Sequence, residues 1–248
     1  MVNGVNANQA TLIRNYLQAV VGSWAASLSG GAAPVLDVQT RTRFNEANDS
    51  HYYLVPGVIV TIMTMIGALL TSLVMAREYE RGTLESLFVT PVGSGEILTA
   101  KAATNFLLGM VSLAISMIFA AFVFDIPIRG SLTLLLAVSA LFLIVALGLG
   151  LVISTATKNQ FLACQFAIMG TFMPALMLSG FLYDILNMPP AVRALTYMIP
   201  ARYYVTLLQT LFLAGDIPSV IIPCCITLGV FAVVLMGIAR LKAPKSLE

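Results

Sequence analysis

The chain has 248 residues, of which 59% are hydrophobic and only 10% are charged, whereas an ordinary soluble domain has about 25% charged residues. This composition indicates a membrane protein. The formal net charge of +2 is small and scattered, so it does not favour nucleic acid as a partner.

The cysteines and the histidine argue against two further classes of site. Cys224 and Cys225 are adjacent and Cys164 lies in another apolar run, so we expect no disulfide framework and interpret all three as packing residues. With His51 as the single histidine and no clustered Cys, His or Asp spacing, there is no metal site to propose. A metal-dependent hydrolase is therefore not expected.

Residues 1–52 are interpreted as the C-terminal part of an external domain. Residues 8 to 28 have helical apolar spacing and predict an amphipathic helix, while residues 35 to 44 alternate imperfectly and suggest a strand. One helix and one strand in about 50 residues bury little core. The polar N-terminus also lacks the features of a signal peptide, so we expect the chain to be a fragment of a longer protein.

Residues 53–242 are predicted to form a transmembrane domain, followed by a tail at 243–248. A helix of about 20 apolar residues crosses a hydrocarbon core about 30 Å thick. Runs of this kind lie at roughly 54–76, 103–124, 131–154, 160–182 and 219–239.

The flanking cations favour one orientation of these runs. Because Lys and Arg near span ends concentrate on the cytoplasmic side, we expect the N-terminal segment outside and the C-terminus in the cytoplasm. The inside would then hold Arg77, Arg81, Lys101, Lys158, Arg240, Lys242 and Lys245, and the outside Arg14, Arg41, Arg43, Arg129, Arg193 and Arg202.

The connection from 183 to 218 is too apolar for a water-exposed loop and too short to cross the membrane. We predict two short helices that dip into the outer leaflet, because irregular backbone is tolerated at membrane depth where it packs on protein. The tyrosines of this region are interpreted as anchors at the outer interface: Tyr183, Tyr197, Tyr203 and Tyr204.

A charged interruption between the first two runs contains turn and cap residues. Gly82 and Gly93 permit sharp changes of direction, and Thr90 is suited to cap a helix whose first residue is Pro91. The residues suited to the positive end of the next helix are Ser94 and Glu96.

Two interpretations of this interruption stay open. A short helix parallel to the membrane would present Glu80, Arg81 and Glu85 to a cytoplasmic partner. Alternatively, these charges merely solvate a loop and counter one another, and Glu78 is a span-end residue whose side chain reaches the interface.

Residues 78 to 101 resemble the signature that joins the second and third spans of membrane subunits of type-2 ATP-binding-cassette exporters, in the branch of bacterial multidrug exporters. The matching residues are Glu78, Glu80, Arg81, Gly82, Thr83, Leu84, Glu85, Leu87, Thr90, Pro91, Glu96 and Lys101. Residues 53 to 57 resemble the entry to the family's second span, and residues 199 to 204 resemble a segment before its last span, including Pro200, Arg202, Tyr203 and Tyr204. Two departures are Ala100, where the family usually has Gly, and Gln209, where many members have Arg.

The resemblance implies an all-α integral membrane fold with six spans in the family and five in this chain, which lacks the first span and most of the external domain. It implies a coupling helix seated on a separate ATPase subunit, a re-entrant external hairpin, and a pathway formed with a second copy or a homologous half. It also implies the bacterial inner membrane as the location, membrane lipid as the surroundings and a possible periplasmic adaptor.

The chain contains no Gly-x-x-x-x-Gly-Lys-Ser/Thr motif, so we expect no cofactor on it, no enzymatic activity of its own, and ATP on a partner subunit. An ion-gradient carrier and a non-transporting scaffold are the alternatives. The first usually needs ionisable residues at the midplane, and the five runs have none between their ends. Drugs, lipid-like molecules, polysaccharide precursors and ions stay open as cargo.

Pro174 and two glycines carry expectations about the packing of the spans. Pro174 is expected to kink the fourth run. Gly148 and Gly150, with Ser139 and Ser154 in the same run, indicate either a close helix approach or ordinary packing.

Overall fold

The computed structural model of the chain describes residues 7–28, 51–82, 94–126 and 128–242. It divides into two units, Met1–Leu54 and Val55–Glu248. Every regular element in the described ranges is helical, which confirms the all-α class of the membrane domain. The strand suggested for 35 to 44 and the tail at 243–248 lie outside the described residues.

In the first unit, α1 spans Ala7–Leu28, as predicted for residues 8 to 28. The apolar side chains on this helix are exposed: Leu12, Ile13, Tyr16, Leu17, Val20 and Trp24.

Five helical stretches in the described residues are long and apolar enough to cross a membrane, which confirms the number of runs. We number them in chain order: span 1 (Leu54–Glu80), span 2 (Thr99–Phe122), span 3 (Leu132–Thr157), span 4 (Gln160–Leu178) and span 5 (Pro218–Leu241). Span 1 contains α2 (His51–Thr64) and α3 (Thr71–Glu80), which are joined by a π-helical segment at Met65–Leu70. Spans 2 and 3 lie in single helices, α4 (Ser94–Phe122) and α5 (Leu132–Thr157). Span 4 contains α6 (Gln160–Ala167) and α7 (Met173–Leu178), joined by a π-helical segment at Ile168–Phe172, and span 5 lies in the last helix, Pro218–Lys242.

A π turn directly precedes the helix that contains Pro174, whereas the kink expected at Pro174 stays a prediction. The π segment Ile168–Phe172 ends just before Met173, and α7 begins there with Pro174 in its first turn. Proline lacks an N–H and its ring clashes with the carbonyl four residues back in a regular helix. A wider turn at this point accommodates both constraints.

Span 3 forms the centre of the membrane domain, and two of its glycines allow close neighbours. A Cβ atom on Gly148 would lie 3.0 Å from the Leu235 Cβ of span 5, and one on Gly150 would lie 2.6 Å from the Ala68 carbonyl oxygen of span 1. Both distances are shorter than normal van der Waals contact. Close approach, and not ordinary packing alone, is therefore the role of these glycines.

The connection between spans 4 and 5 contains the two predicted short helices. A 3-10 turn at Ile185–Asn187 precedes α8 (Pro190–Thr196) and α9 (Pro200–Gln209), and a π turn at Thr210–Ala214 follows, so that the last helix, Pro218–Lys242, is α10. We call α8 and α9 the hairpin. Its helical character is confirmed, whereas its depth in a membrane stays a prediction.

Candidate functional site

Chain connectivity places the candidate residues at two opposite ends of the spans. Spans 1 and 3 finish at Glu80 and Thr157, at the end where α4 and span 4 begin. We call this the elbow end. The other end, where span 2 finishes and span 3 begins, carries the hairpin and is called the hairpin end.

Span 1 ends in a sharp turn at Gly82. The Arg81 N–H donates to the Arg77 carbonyl at 3.0 Å and the Gly82 N–H donates to the Tyr79 carbonyl at 3.3 Å. Gly82 has a φ of +66°, a left-handed conformation that costs residues with a Cβ roughly 1–2 kcal/mol. The left-handed backbone at Gly82 agrees with the role predicted for it, whereas the direction of the chain after Gly82 stays a prediction because residues 83–93 lie outside the described ranges.

The structure places Glu80 in the last turn of span 1, and not on a separate short helix as we expected. Its carboxylate Oε2 accepts a hydrogen bond from the Gln160 N–H at 3.0 Å. Gln160 is the first residue of span 4, whose free N–H groups carry the positive end of the helix dipole. Glu80 therefore ties the end of span 1 to the start of span 4.

Two further polar contacts join the same last turn to its neighbours. The carboxylate of Glu78 forms an ion pair with the Lys101 ammonium group of span 2, with both side chains about three-quarters covered. Arg77 Nε donates to the Gln160 side-chain oxygen at 3.4 Å. Spans 2 and 4 are thus both linked to span 1 at the elbow end.

A second set of polar contacts lies one to two helical turns further from the elbow end, and it is buried. We call it the buried polar layer. Asn105 of span 2 donates from Nδ2 to the Thr71 Oγ1 of span 1 at 3.1 Å. Ser72, also on span 1, donates to the Ala163 carbonyl of span 4 at 3.4 Å. Unpaired polar groups are costly in a hydrocarbon environment, so this layer joins the same three spans at a second level.

Sequence reasoning missed Gln160, Asn105 and Thr71. A cap signal was available before span 4, because Asn159 accepts from the Leu162 N–H at 3.1 Å in the usual N-cap manner. Nothing local in the sequence, however, indicates that the neighbouring amide pairs with an acid about 80 residues earlier.

Several predicted coupling residues stay predictions. Arg81 is exposed beside Gly82. Glu96 lies in the first turn of α4, but its side chain is outside the description. The others that lie outside the described residues are Thr83, Glu85, Leu87, Thr90 and Pro91.

At the hairpin end, Pro200 is the first residue of α9, where its missing N–H costs nothing. Arg202 stacks on the Tyr197 ring, with its guanidinium carbon 3.9 Å from the ring centroid. Its Nη1 also donates to the Thr196 hydroxyl. The Tyr203 hydroxyl donates to the Tyr197 carbonyl at 3.0 Å, so these residues fix the turn between α8 and α9.

The interpretation of Tyr204 as an interfacial anchor is wrong. Tyr204 is 0% exposed, its ring stacks on Phe142 of span 3 at 4.1 Å between centroids, and its hydroxyl donates to the Ser139 Oγ at 2.8 Å. An anchor must reach the interface; Tyr183 and Tyr197 are half-exposed, and their role as anchors stays a prediction. Tyr204 instead fastens α9 to span 3.

The segment that directly follows the hairpin is tied to the loop between spans 2 and 3. The Leu213 carbonyl accepts from Arg129 Nη1 at 3.2 Å and the Leu211 carbonyl accepts from the Gly130 N–H at 2.8 Å. The Asp216 carboxylate accepts from the Ser131 N–H at 3.0 Å, immediately before span 3. The loop thereby supplies donors to carbonyls of the π turn that follows the hairpin.

Comparison with known proteins identifies the family. Residues 1–241 match the model of a family described as "ABC-2 family transporter protein". The chain is similar to the probable multidrug ABC transporter permease YbhS of Escherichia coli K12, with 43% identity over 100% of this chain and 67% of the relative. It is 30% identical to the probable multidrug permease YbhR of that strain, over 86% of this chain and 58% of the relative. The inner membrane transport permease YhhJ, from the same strain, is 28% identical over 95% and 63%.

This chain thus spans about two thirds of the length of these relatives. Their names describe permeases, the subunits that cross the membrane, and the five candidate spans agree with that description. We conclude that the chain belongs to the ABC-2 transporter family and is a multi-pass, membrane-spanning permease subunit of an ATP-binding-cassette exporter.

Proposed function

We propose that the elbow segment, residues 78–96, receives mechanical work from a separate ATPase subunit and passes it to spans 1, 2 and 4. Membership of an ABC permease family implies ATPase subunits as partners. ATP is bound and hydrolysed on that partner, and the elbow is seated against its surface in the cytoplasm. The N-terminal segment is then outside and the C-terminus inside.

The observation that supports this proposal is the pair of contacts made by the last turn of span 1. Glu80 contacts the first amide of span 4, and Glu78 pairs with Lys101 on span 2. Because a helix is stiff along its length, a displacement of the elbow tilts span 1, and these contacts move its two neighbours with it. Gly82, which directly follows this turn, provides the change of direction.

A second copy, or a homologous half, completes the translocation pathway in this proposal. The names of the relatives support drug-like molecules as the exported class. An ion-gradient carrier is disfavoured because the relatives are named as ABC permeases. A periplasmic adaptor stays a further possible partner of the assembled exporter.

Coassembly tests the docking step. The permease is purified with its ATPase partner after Arg81→Ala, Gly82→Ala or Glu85→Ala, and Asp125→Asn serves as the matched control. Asp125 is exposed at the hairpin end with a φ of 47°, a conformation that Asn tolerates. We expect less coassembled ATPase for the elbow variants and none of this loss for the control. Equal coassembly of all four variants would contradict the docking role.

A further inference from the structure

Two arginines of the hairpin converge on one exposed tyrosine. Arg193 lies in the last turn of α8, four residues before Tyr197, so the two side chains share one helical face. Arg202, from α9, stacks on the same Tyr197 ring from the other helix. Thr196 joins the pair, since its hydroxyl donates to the Arg193 carbonyl at 2.8 Å and accepts from Arg202.

Two contacts hold the guanidinium group of Arg202 in place. The Tyr197 ring covers one face of the guanidinium and the buried Thr196 hydroxyl takes one Nη1 hydrogen. A guanidinium has five N–H donors in a planar fork. Arg202 is therefore preorganised, with further donors than Thr196 accepts.

The two arginines produce a positive potential at the Tyr197 hydroxyl group. Arg202 above all, and then Arg193, lowers the pKa of the Tyr197 hydroxyl. Nearby cations act in this way because they favour the charged phenolate. The same potential favours any other anion that reaches the two side chains.

The surface around the two cations is apolar. Leu195 is 52% exposed, and Met198, which directly follows Tyr197, is 72% exposed. If the hairpin dips into the membrane as predicted, this apolar surface faces acyl chains and the cations at its edge face the headgroup layer.

We propose that Arg193 and Arg202 bind the phosphate of a glycerophospholipid in the leaflet at the hairpin end. The planar fork of arginine matches phosphate oxygens, and the acyl chains lie along Leu195 and Met198. The combination of paired guanidinium groups with exposed apolar side chains selects a lipid over a soluble anion, because only a lipid satisfies both surfaces.

Native mass spectrometry of the purified permease tests this site. The protein is titrated with phosphatidylglycerol, with diacylglycerol, which lacks the phosphate, and with inorganic phosphate. The variants are Arg193→Gln and Arg202→Gln, singly and together. Arg240→Gln is the control, because Arg240 is exposed like Arg193 but lies at the elbow end. We expect phosphatidylglycerol binding to weaken about tenfold in the double variant, as for loss of a hydrogen bond to a charged group, and to be unchanged in the control.

Three results would overturn the proposal: equal lipid binding by the double variant and the native protein, equal binding of diacylglycerol, or displacement of the lipid by inorganic phosphate at similar concentration. Arg202→Gln also removes the contact with Thr196. Arg193→Gln alone and Arg202→Lys therefore keep the test valid if that variant fails to fold. Both are expected to weaken lipid binding, since the first removes one cation and the second removes the planar fork.

Discussion

Replacing Gly150 by alanine would force spans 1 and 3 apart where Thr71 and Ser72 make their buried contacts. The new Cβ would lie 2.6 Å from the Ala68 carbonyl oxygen, 2.9 Å from the Thr71 Cβ and 3.1 Å from the Ser72 nitrogen. Two of these three are backbone atoms, which no rotamer change moves. To restore normal contact the spans must separate by about 1 Å.

The cost of this separation in free energy of unfolding follows from two opposing effects. Overpacking of a tight core destabilises by about 1–3 kcal/mol, while Gly→Ala within a helix gains up to about 1 kcal/mol of helix propensity. Gly229→Ala on span 5 isolates the second effect, because a Cβ at Gly229 meets nothing within 4 Å. The difference between the two variants therefore measures the steric effect.

Thermal unfolding of the purified permease in detergent, followed by loss of the monodisperse fraction, is the assay. We expect Gly150→Ala to lower Tm by about 5 °C relative to Gly229→Ala. An equal or higher Tm for Gly150→Ala would refute the close approach of spans 1 and 3, and with it the placement of the buried polar layer.

Three further predictions follow from contacts at both ends. Tyr204→Phe keeps the stack on Phe142 but loses the hydrogen bond to Ser139, so we expect a loss of about 1 kcal/mol in unfolding free energy. The control is Tyr203→Phe, which loses a hydrogen bond at the surface. Equal stability of the two variants would contradict the burial of Tyr204. A double-mutant cycle with Glu78→Gln and Lys101→Gln should give a coupling energy of about 0.5–3 kcal/mol in unfolding experiments, whereas additive effects would rule out the ion pair. Arg202→Gln should raise the pKa of Tyr197, since Arg202 is the main cause of the lowering of this pKa. The pKa is measured by phenolate absorbance, taken as the difference from Tyr197→Phe. An unchanged pKa would contradict the stacking of Arg202 on the Tyr197 ring. A lowered tyrosine pKa in the folded state stabilises the fold only at a pH above the ordinary tyrosine pKa, and this stabilisation is lost as the pH falls through the pKa of the folded state. The free energy of unfolding at neutral pH should therefore not depend on the titration of Tyr197.

The sequence predicted the elements that depend on local pattern. Runs of about 20 apolar residues predict spans because a helix of this length crosses the hydrocarbon core with its backbone hydrogen bonds satisfied. Gly82 predicts a turn because glycine adopts a positive φ without strain. The helices of the connection followed from its apolar content. These features need no knowledge of what lies beside them.

Tyr204 and Gln160 show what the sequence leaves open. Tyr204 follows Tyr203 directly, yet the first is buried against span 3 and the second is partly exposed, because consecutive residues on a helix point about 100° apart and only the packing decides which faces inwards. Gln160 meets Glu80 across 80 residues of sequence. Such partners depend on how the spans pack, and a single sequence does not encode them in any local pattern.

The most direct test of the account concerns Glu80. The permease is reconstituted with its ATPase partner in vesicles, and transport of the proposed drug-like cargo per ATP hydrolysed is measured for Glu80→Ala, Glu80→Gln and the control Asp125→Asn. If Glu80 transmits movement to span 4 through the Gln160 amide, Glu80→Ala lowers the ratio of transport to ATP hydrolysis about tenfold. Glu80→Gln lowers this ratio less, because its amide oxygen still accepts the hydrogen bond, and Asp125→Asn leaves the ratio unchanged. An unchanged ratio for Glu80→Ala, with the ATPase still bound, would contradict the claim that the end of span 1 drives its neighbours.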